Sequence, residues 1–292
     1  MHKHSFTGLL AGLGAASIWG GMYVVSKVVL EVIPPFALLS IRLFMGAAVL
    51  GVVVYFRKNK PAFTREQFWK SLLVGFVGYG ISLGFQFVGT KLSTASNGAL
   101  VTSATPAFVL IFAPFLLGEK PTLRGIIALV VSMLGVLAVV DPRNAELSPT
   151  LFWGNMSLLS AALTWALYSV LVRKTSRSGD LLLSSAVMLL GGLPSSLAFG
   201  IWEINTQGIG VITPGIIGGL LFLGIVSTAV AMFLWNYAFA EIPAAVASLT
   251  IFAQPVVGTL LGWYFLSDAI TPLFLVGGAL ISIGILIATL EK

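Results

Sequence analysis

Ten apolar runs follow one another along this chain, separated by short polar breaks and each close to the length of a membrane-crossing helix. A hydrocarbon layer about 30 Å thick takes about 20 residues of α-helix. Backbone in lipid must also satisfy its own hydrogen bonds, which helices do within one segment. The runs fall at about residues 6–29, 34–56, 71–88, 95–117, 123–140, 153–172, 181–199, 214–239, 244–266 and 272–290. No stretch is left over for a water-soluble domain. The first run follows His2, Lys3 and His4 as a secretory signal would, but it is long and leads into a second span without a polar mature region, so it reads as a membrane helix. Only 9% of the residues are charged and 58% are hydrophobic, against roughly 25% charged in soluble domains. A soluble enzyme, a disordered chain and a collagen-like chain are excluded together.

The basic residues then orient the spans, because Lys and Arg are retained on the cytoplasmic side. Twelve fall on one side, at the two termini and in the connections after the second, fourth and sixth spans. Lys27, Lys91 and Arg143 fall on the other side, and Arg42 lies inside the second span. Both termini are therefore expected in the cytoplasm. The net charge of +6 is a topology signal, and a nucleic-acid partner is not expected. The absence of cysteine removes disulfides, thiolate metal sites and thiol nucleophiles, so thiol reagents should leave activity untouched.

The two halves resemble each other. Ala15-Ala16-Ser17-Ile18-Trp19 aligns with Ala161-Ala162-Leu163-Thr164-Trp165, placing Gly8 on Gly154; later, Pro106 falls on Pro255, Glu119 on Asp268 and Gly135 on Gly284. Five spans per half is an odd number, so the second half enters the membrane from the opposite side. The expected fold is an all-α integral membrane bundle of ten transmembrane helices, arranged as two inverted five-helix repeats over residues 1–146 and 147–292. Such repeats suit alternating access, since exchanging the conformations of two similar halves mirrors the opening.

At these residues the chain resembles the drug/metabolite transporter superfamily and, within it, the EamA-like permeases. The resemblance rests on Trp19-Gly20-Gly21-Met22-Tyr23-Val24-Val25-Ser26-Lys27, on Arg42, and on the block around Ala99, Pro106, Leu117-Gly118-Glu119-Lys120 and Gly135. The second half repeats the pattern with Trp165-Ala166-Leu167-Tyr168, Pro255, Leu266-Ser267-Asp268 and Gly284, but carries Met188 where the first has Arg42. The resemblance implies a carrier of small organic molecules, most often an exporter of metabolites such as amino acids in a bacterial inner membrane. Its partners are then a small-molecule substrate and the lipid bilayer.

Candidate site residues follow from cost. A charge near mid-membrane is expensive unless it faces protein, water or a counter-charge, and Arg42 lies about 12 Å into its span. It either anchors a substrate carboxylate or makes a gating contact, or else bonds carbonyls of broken helices and holds the bundle together. Pro106 and Pro255 interrupt corresponding spans, each releasing the carbonyl four residues earlier, that of Thr102 or of Ile251, with Thr105 and Gln254 beside them. Paired interruptions of this kind point to a carrier's central site, or else simply shape the bundle. Trp19 and Tyr23, Trp165 and Tyr168, Tyr79 with Ser82 and Gln86, and Trp235 with Asn236 complete the candidate cavity. Trp153, Trp202 and Trp263 read as an interfacial belt, Pro114 and Pro194 as kinks, and Gly8, Gly12, Ala16 and Gly20 as a smooth packing ridge.

The acidic residues all fall at or beyond span ends, and both histidines are terminal. A proton-coupled carrier needs a buried relay, so facilitated diffusion or exchange is favoured over proton-coupled drug efflux. Coupling through Glu119 or Asp268 stays open. No phosphate-binding loop, metal cluster or nucleophile elbow occurs, so neither ATP-driven pumping, a cofactor, a metal nor catalysis is expected. Composition leaves a channel or membrane scaffold open, but the duplicated halves with paired prolines favour a carrier.

Overall fold

The computed structural model describes residues 3–58, 63–93, 101–140, 151–176, 179–266 and 272–289. These are helical apart from short turns. Helix α1 runs Lys3–Leu30 and α2 Pro35–Phe56. Helix α3 comprises Arg65–Gly75, a π segment Phe76–Ser82 and Leu83–Leu92. Then come α4 (Thr105–Leu117) and α5 (Leu123–Val140). The second half gives α6 (Phe152–Ser176) and α7, in which Leu181–Gly191 and Leu193–Gln207 meet at Gly192. Helix α8 comprises Pro214–Leu221, a π segment Phe222–Val230 and Ala231–Glu241. Helix α9 comprises Ala244–Leu249, the 3-10 turn Thr250–Phe252 and Ala253–Leu266, and α10 is Pro272–Thr289. Seven of these stretches are long and apolar enough to cross a membrane, and α1, α4 and α5 contain shorter apolar stretches.

The ends are set by local chemistry. Thr64 and Gln67 form a reciprocal capping box that starts α3 at Arg65, a turn and a half before the apolar run at 71. Asp180 accepts from the Leu183 N–H at the start of α7. At the far end of α7 the helix runs on to Gln207 instead of stopping near 199, because Glu203 is buried against the start of α2, accepting from the N–H groups of Phe36 and Ala37 (2.7 and 3.3 Å). A carboxylate at a helix N-terminus is favourable through both its hydrogen bonds and the helix dipole. Gly118, at φ 72°, ends α4 in the left-handed conformation that only glycine adopts freely. The expected start of the fourth span at 95–100 and the repeat boundary at 146 lie outside the described residues.

Packing between the halves is reciprocal. Helix α1 lies along α9, and α6 lies along α4; α3 packs on α6 and α7, as α8 packs on α1 and α2; α2 pairs with α7 and α5 with α10. Exchanging the halves reproduces this list. The glycine ridge on α1 is an interface: a Cβ at Gly20 would sit 2.8 Å from the Gln254 carbonyl oxygen, and one at Gly12 2.6 Å from Thr250 Oγ1. Where lipid tails are as apolar as the side chains, such close approach drives helix association. The π segments of α3 and α8 also correspond, since the offset that takes Trp19 to Trp165 takes Gly78 to Gly224 and Ser82 to Thr228. Trp153, Trp202 and Trp263 lie more than half exposed on the bundle surface, as an interfacial belt requires.

Candidate functional site

A cavity of about 120 Å³ lies between α1, α2, α3, α4, α6, α8 and α9. On α1, α2, α3 and α4 the lining residues fall in the half nearer the Leu30 end of α1, while Trp165 of α6, Met232 of α8 and Ile251 and Gln254 of α9 come from the middle of their helices. The lining is mainly apolar and aromatic, and the polar side chains Ser26, Arg42, Ser82, Gln86, Thr102, Thr105 and Gln254 interrupt it.

Arg42 is 5% exposed. Its Nε donates to Thr228 Oγ1 (3.1 Å), and one terminal nitrogen donates to Ser227 Oγ (3.2 Å) and reaches Met22 Sδ (3.2 Å). Both hydroxyls stand in the π segment of α8, where Thr228 Oγ1 donates to the Leu223 carbonyl, five residues back (2.7 Å), and the Ser227 carbonyl accepts from Trp19 Nε1 (3.0 Å). Arg42 is thus held by hydroxyls of an irregular helix, not by carbonyls. Among the described residues no carboxylate contacts it; the ion pairs there are Arg57–Asp180, Lys70–Glu66 and Arg173–Glu119.

The paired prolines sit where sequence places them but act differently. Pro106 falls in the first turn of α4, after a break at Ser103 and Ala104, where a missing N–H costs nothing. The Thr102 carbonyl is not left free, because Thr105 Oγ1 donates to it (2.8 Å). Pro255 likewise follows the 3-10 turn of α9, and the Ile251 carbonyl accepts from the Ala253 N–H. The prolines therefore permit breaks that bring Thr102, Thr105, Ile251 and Gln254 to the cavity wall. Pro194 similarly starts a helical segment after Gly192, while Pro114 lies inside α4.

Away from the cavity, toward the Glu119 end, the bundle is closed. Trp19, Trp165 and Trp235 form a mutual aromatic cluster with centroids 5.4–6.2 Å apart. Behind it the Tyr79 and Tyr168 hydroxyls share a hydrogen bond, Tyr168 donates to Asn236 Oδ1 (2.7 Å), and Asn236 Nδ2 donates to Ser185 Oγ (3.0 Å). Trp235 Nε1 donates to Ser169 Oγ (3.0 Å). At the same end Glu119 pairs with Arg173 and accepts from the Ala244 N–H (2.9 Å), while Arg173 also donates to the carbonyls of Phe239 and Ile242. One carboxylate and one guanidinium thus tie the end of α4 to α6 and to the turn between α8 and α9.

Of the residues singled out in the sequence, Trp19, Arg42, Ser82, Gln86, Thr102, Thr105, Trp165 and Gln254 share this cavity. Tyr79, Tyr168 and Asn236 lie in the closed network instead, fully buried. The side chain of Tyr23 lies outside the described residues, as does that of Lys27. Sequence reasoning missed Ser26, Met22 and Met232 on the wall and Ser227 and Thr228 behind Arg42. The repeat offset was the available signal for Thr228, since it maps Ser82 onto that residue; isolated serines and methionines carry none.

The EamA-like transporter family matches the chain twice, over residues 6–141 and 152–290. The uncharacterized transporter YoaV of Bacillus subtilis is 28% identical over 287 residues, covering 96% of each chain. An uncharacterized transporter of Archaeoglobus fulgidus is 25% identical, covering 94% of this chain and 96% of its own. A solved crystal structure superposes with a TM-score of 0.82 at 21% identity, over 97% of this chain and 96% of the other, and so shares the fold. Two matches to one model in a single helical chain, with relatives aligned over nearly its whole length, place it: the chain belongs to the EamA-like transporter family and is a multi-pass membrane transporter, not an enzyme.

Proposed function

We propose that the chain is a secondary carrier that exports small organic metabolites, amino acids or related compounds, by alternating access across a bacterial inner membrane. The observation that carries this reading is the asymmetry of the bundle: a cavity at mid-depth, walled toward one end by the tryptophan cluster and the Glu119–Arg173 clamp. With both termini cytoplasmic, the clamp lies at the cytoplasmic end and the cavity toward the outer half. The two five-helix repeats, 1–146 and 147–292, exchange conformations to reach the opposite state. An apolar pocket with a few convergent polar groups is the usual form of a small-molecule site, and Trp19, Ser82, Gln86, Thr105, Trp165 and Gln254 would contact cargo there. No acidic side chain among the described residues lines the cavity, which supports facilitated diffusion or exchange over proton coupling.

Counterflow of a labelled amino-acid panel in proteoliposomes, with and without an imposed pH gradient, tests the reading. Saturable counterflow that ignores the gradient is the expected outcome. Flux rising linearly with concentration would instead indicate a pore, and a strong gradient response would return Glu119 and Asp268, the latter outside the described residues, to consideration as relays.

A further inference from the structure

Two polar groups on the cavity wall are not satisfied by the protein. The first is Arg42, whose guanidinium has five N–H donors. Among the described residues only Thr228, Ser227 and Met22 accept from it, and all three lie on the side of Nε and one terminal nitrogen. The second is Ser26, 9% exposed, whose Oγ has no hydrogen-bond partner among the described residues although it lines the same cavity. A hydroxyl is a modest donor, but a buried positive charge without a counter-charge is costly. A carboxylate offers two oxygens that match the guanidinium fork and accept from a hydroxyl as well. The rest of the wall is mainly aromatic and aliphatic, interrupted by Ser82, Gln86, Thr102, Thr105 and Gln254, with Trp19, Trp165 and Phe87 suited to a flat apolar body.

We propose that the cargo is an organic carboxylate with an apolar body, bound through Arg42 and Ser26, and that its charge is what allows the carrier to reorient, making the protein an exchanger of such acids. The assignment rests on the carrier reading above. In the cargo-free protein, moving from one opening to the other carries the uncompensated Arg42 charge through the closed intermediate, where water is squeezed out. With a carboxylate bound the pair is neutral and that penalty falls away. A cationic cargo meets no carboxylate on the described wall, and a cargo without a carboxylate leaves the Arg42 charge unpaired.

The test uses three probes of one shape: phenylacetate, phenylacetamide and phenethylamine. Phenylacetate is expected to exchange in counterflow and to leave loaded vesicles only slowly when nothing is supplied outside. Arg42→Met, the residue the second repeat carries at the matching position, weakens phenylacetate binding about 10- to 100-fold, the range for hydrogen bonds to a charged group, and Arg42→Lys weakens it less. Thermal unfolding in detergent checks that each variant is folded. Ser26→Ala breaks no hydrogen bond of the folded chain, so it reports even if the arginine variants do not fold: phenylacetate binding drops several-fold and phenylacetamide binding stays unchanged. Preferred counterflow of the amide or the amine would overturn the carboxylate assignment while leaving the carrier reading intact. Equal rates of exchange and net efflux for phenylacetate would overturn the coupling of charge to reorientation. No saturable flux of any probe or of any amino acid would overturn both readings.

Discussion

At the scale of single residues, the interior is specified by hydrogen bonds that have no water to fall back on. Tyr168 is the central case: its hydroxyl serves Tyr79 and Asn236 together, with all three side chains fully buried. Tyr168→Phe leaves the Asn236 oxygen without its donor at nearly unchanged shape, and should cost about 1–3 kcal/mol. Thermal unfolding of the purified variant in detergent reads this as a lower midpoint, and an unchanged midpoint would mean that the network contributes nothing. Arg42 and the tryptophans were legible in the sequence because an ionisable residue in an apolar run, and large aromatics in matched positions, stand out by type. Ser26 and Ser227 were not legible, since a serine in a membrane helix more often bonds its own backbone, as Ser40 and Ser160 do here. What distinguishes Ser26 is the lack of such a bond, and only coordinates reveal that.

At the scale of helices, the apolar runs located the elements, while their irregularities stayed hidden. The π segments in α3 and α8 carry no composition of their own beyond the glycines Gly78, Gly80 and Gly224, yet the one in α8 carries the two hydroxyls that accept from Arg42. The prolines marked the right places in α4 and α9 but not the outcome, because Thr105 re-satisfies the carbonyl that Pro106 frees. The clamp at the end of α4 is an element-scale device with its own test. Glu119→Gln removes the ion pair with Arg173 and weakens the cap on α9, a loss of about 1.5 kcal/mol that shifts a two-state opening about ten-fold. The chain has no cysteine, so Ser169→Cys in the closed half provides a background-free probe. Its reaction with a maleimide should be slow alone and about ten-fold faster when combined with Glu119→Gln. Equal rates would show that the clamp does not hold this end shut.

For the molecule as a whole, the duplicated sequence foretold the reciprocal packing, because corresponding residues meet corresponding partners. The crossing of α5 and α10 shows this at its closest. A Cβ at Gly135 would lie 2.7 Å from the Gly277 carbonyl oxygen, and one at Gly284 2.8 Å from that of Ala128; the repeat offset takes the first pair onto the second. The side on which the termini lie belongs to this scale as well. A phosphatase fused after Arg143 should be active in a bacterial host and one fused at Lys292 inactive, as the distribution of basic residues demands; the opposite pattern would reverse the orientation. The same two-fold contact between α5 and α10 is what a homodimer of a five-helix protein would make. In such a dimer every substitution is felt twice, so an arginine at position 42 brings a second arginine to the place of Met188, and one bundle must bury two like charges. Joining both halves in one polypeptide lifts that constraint, so that Arg42 can stand buried in one half opposite Met188 in the other.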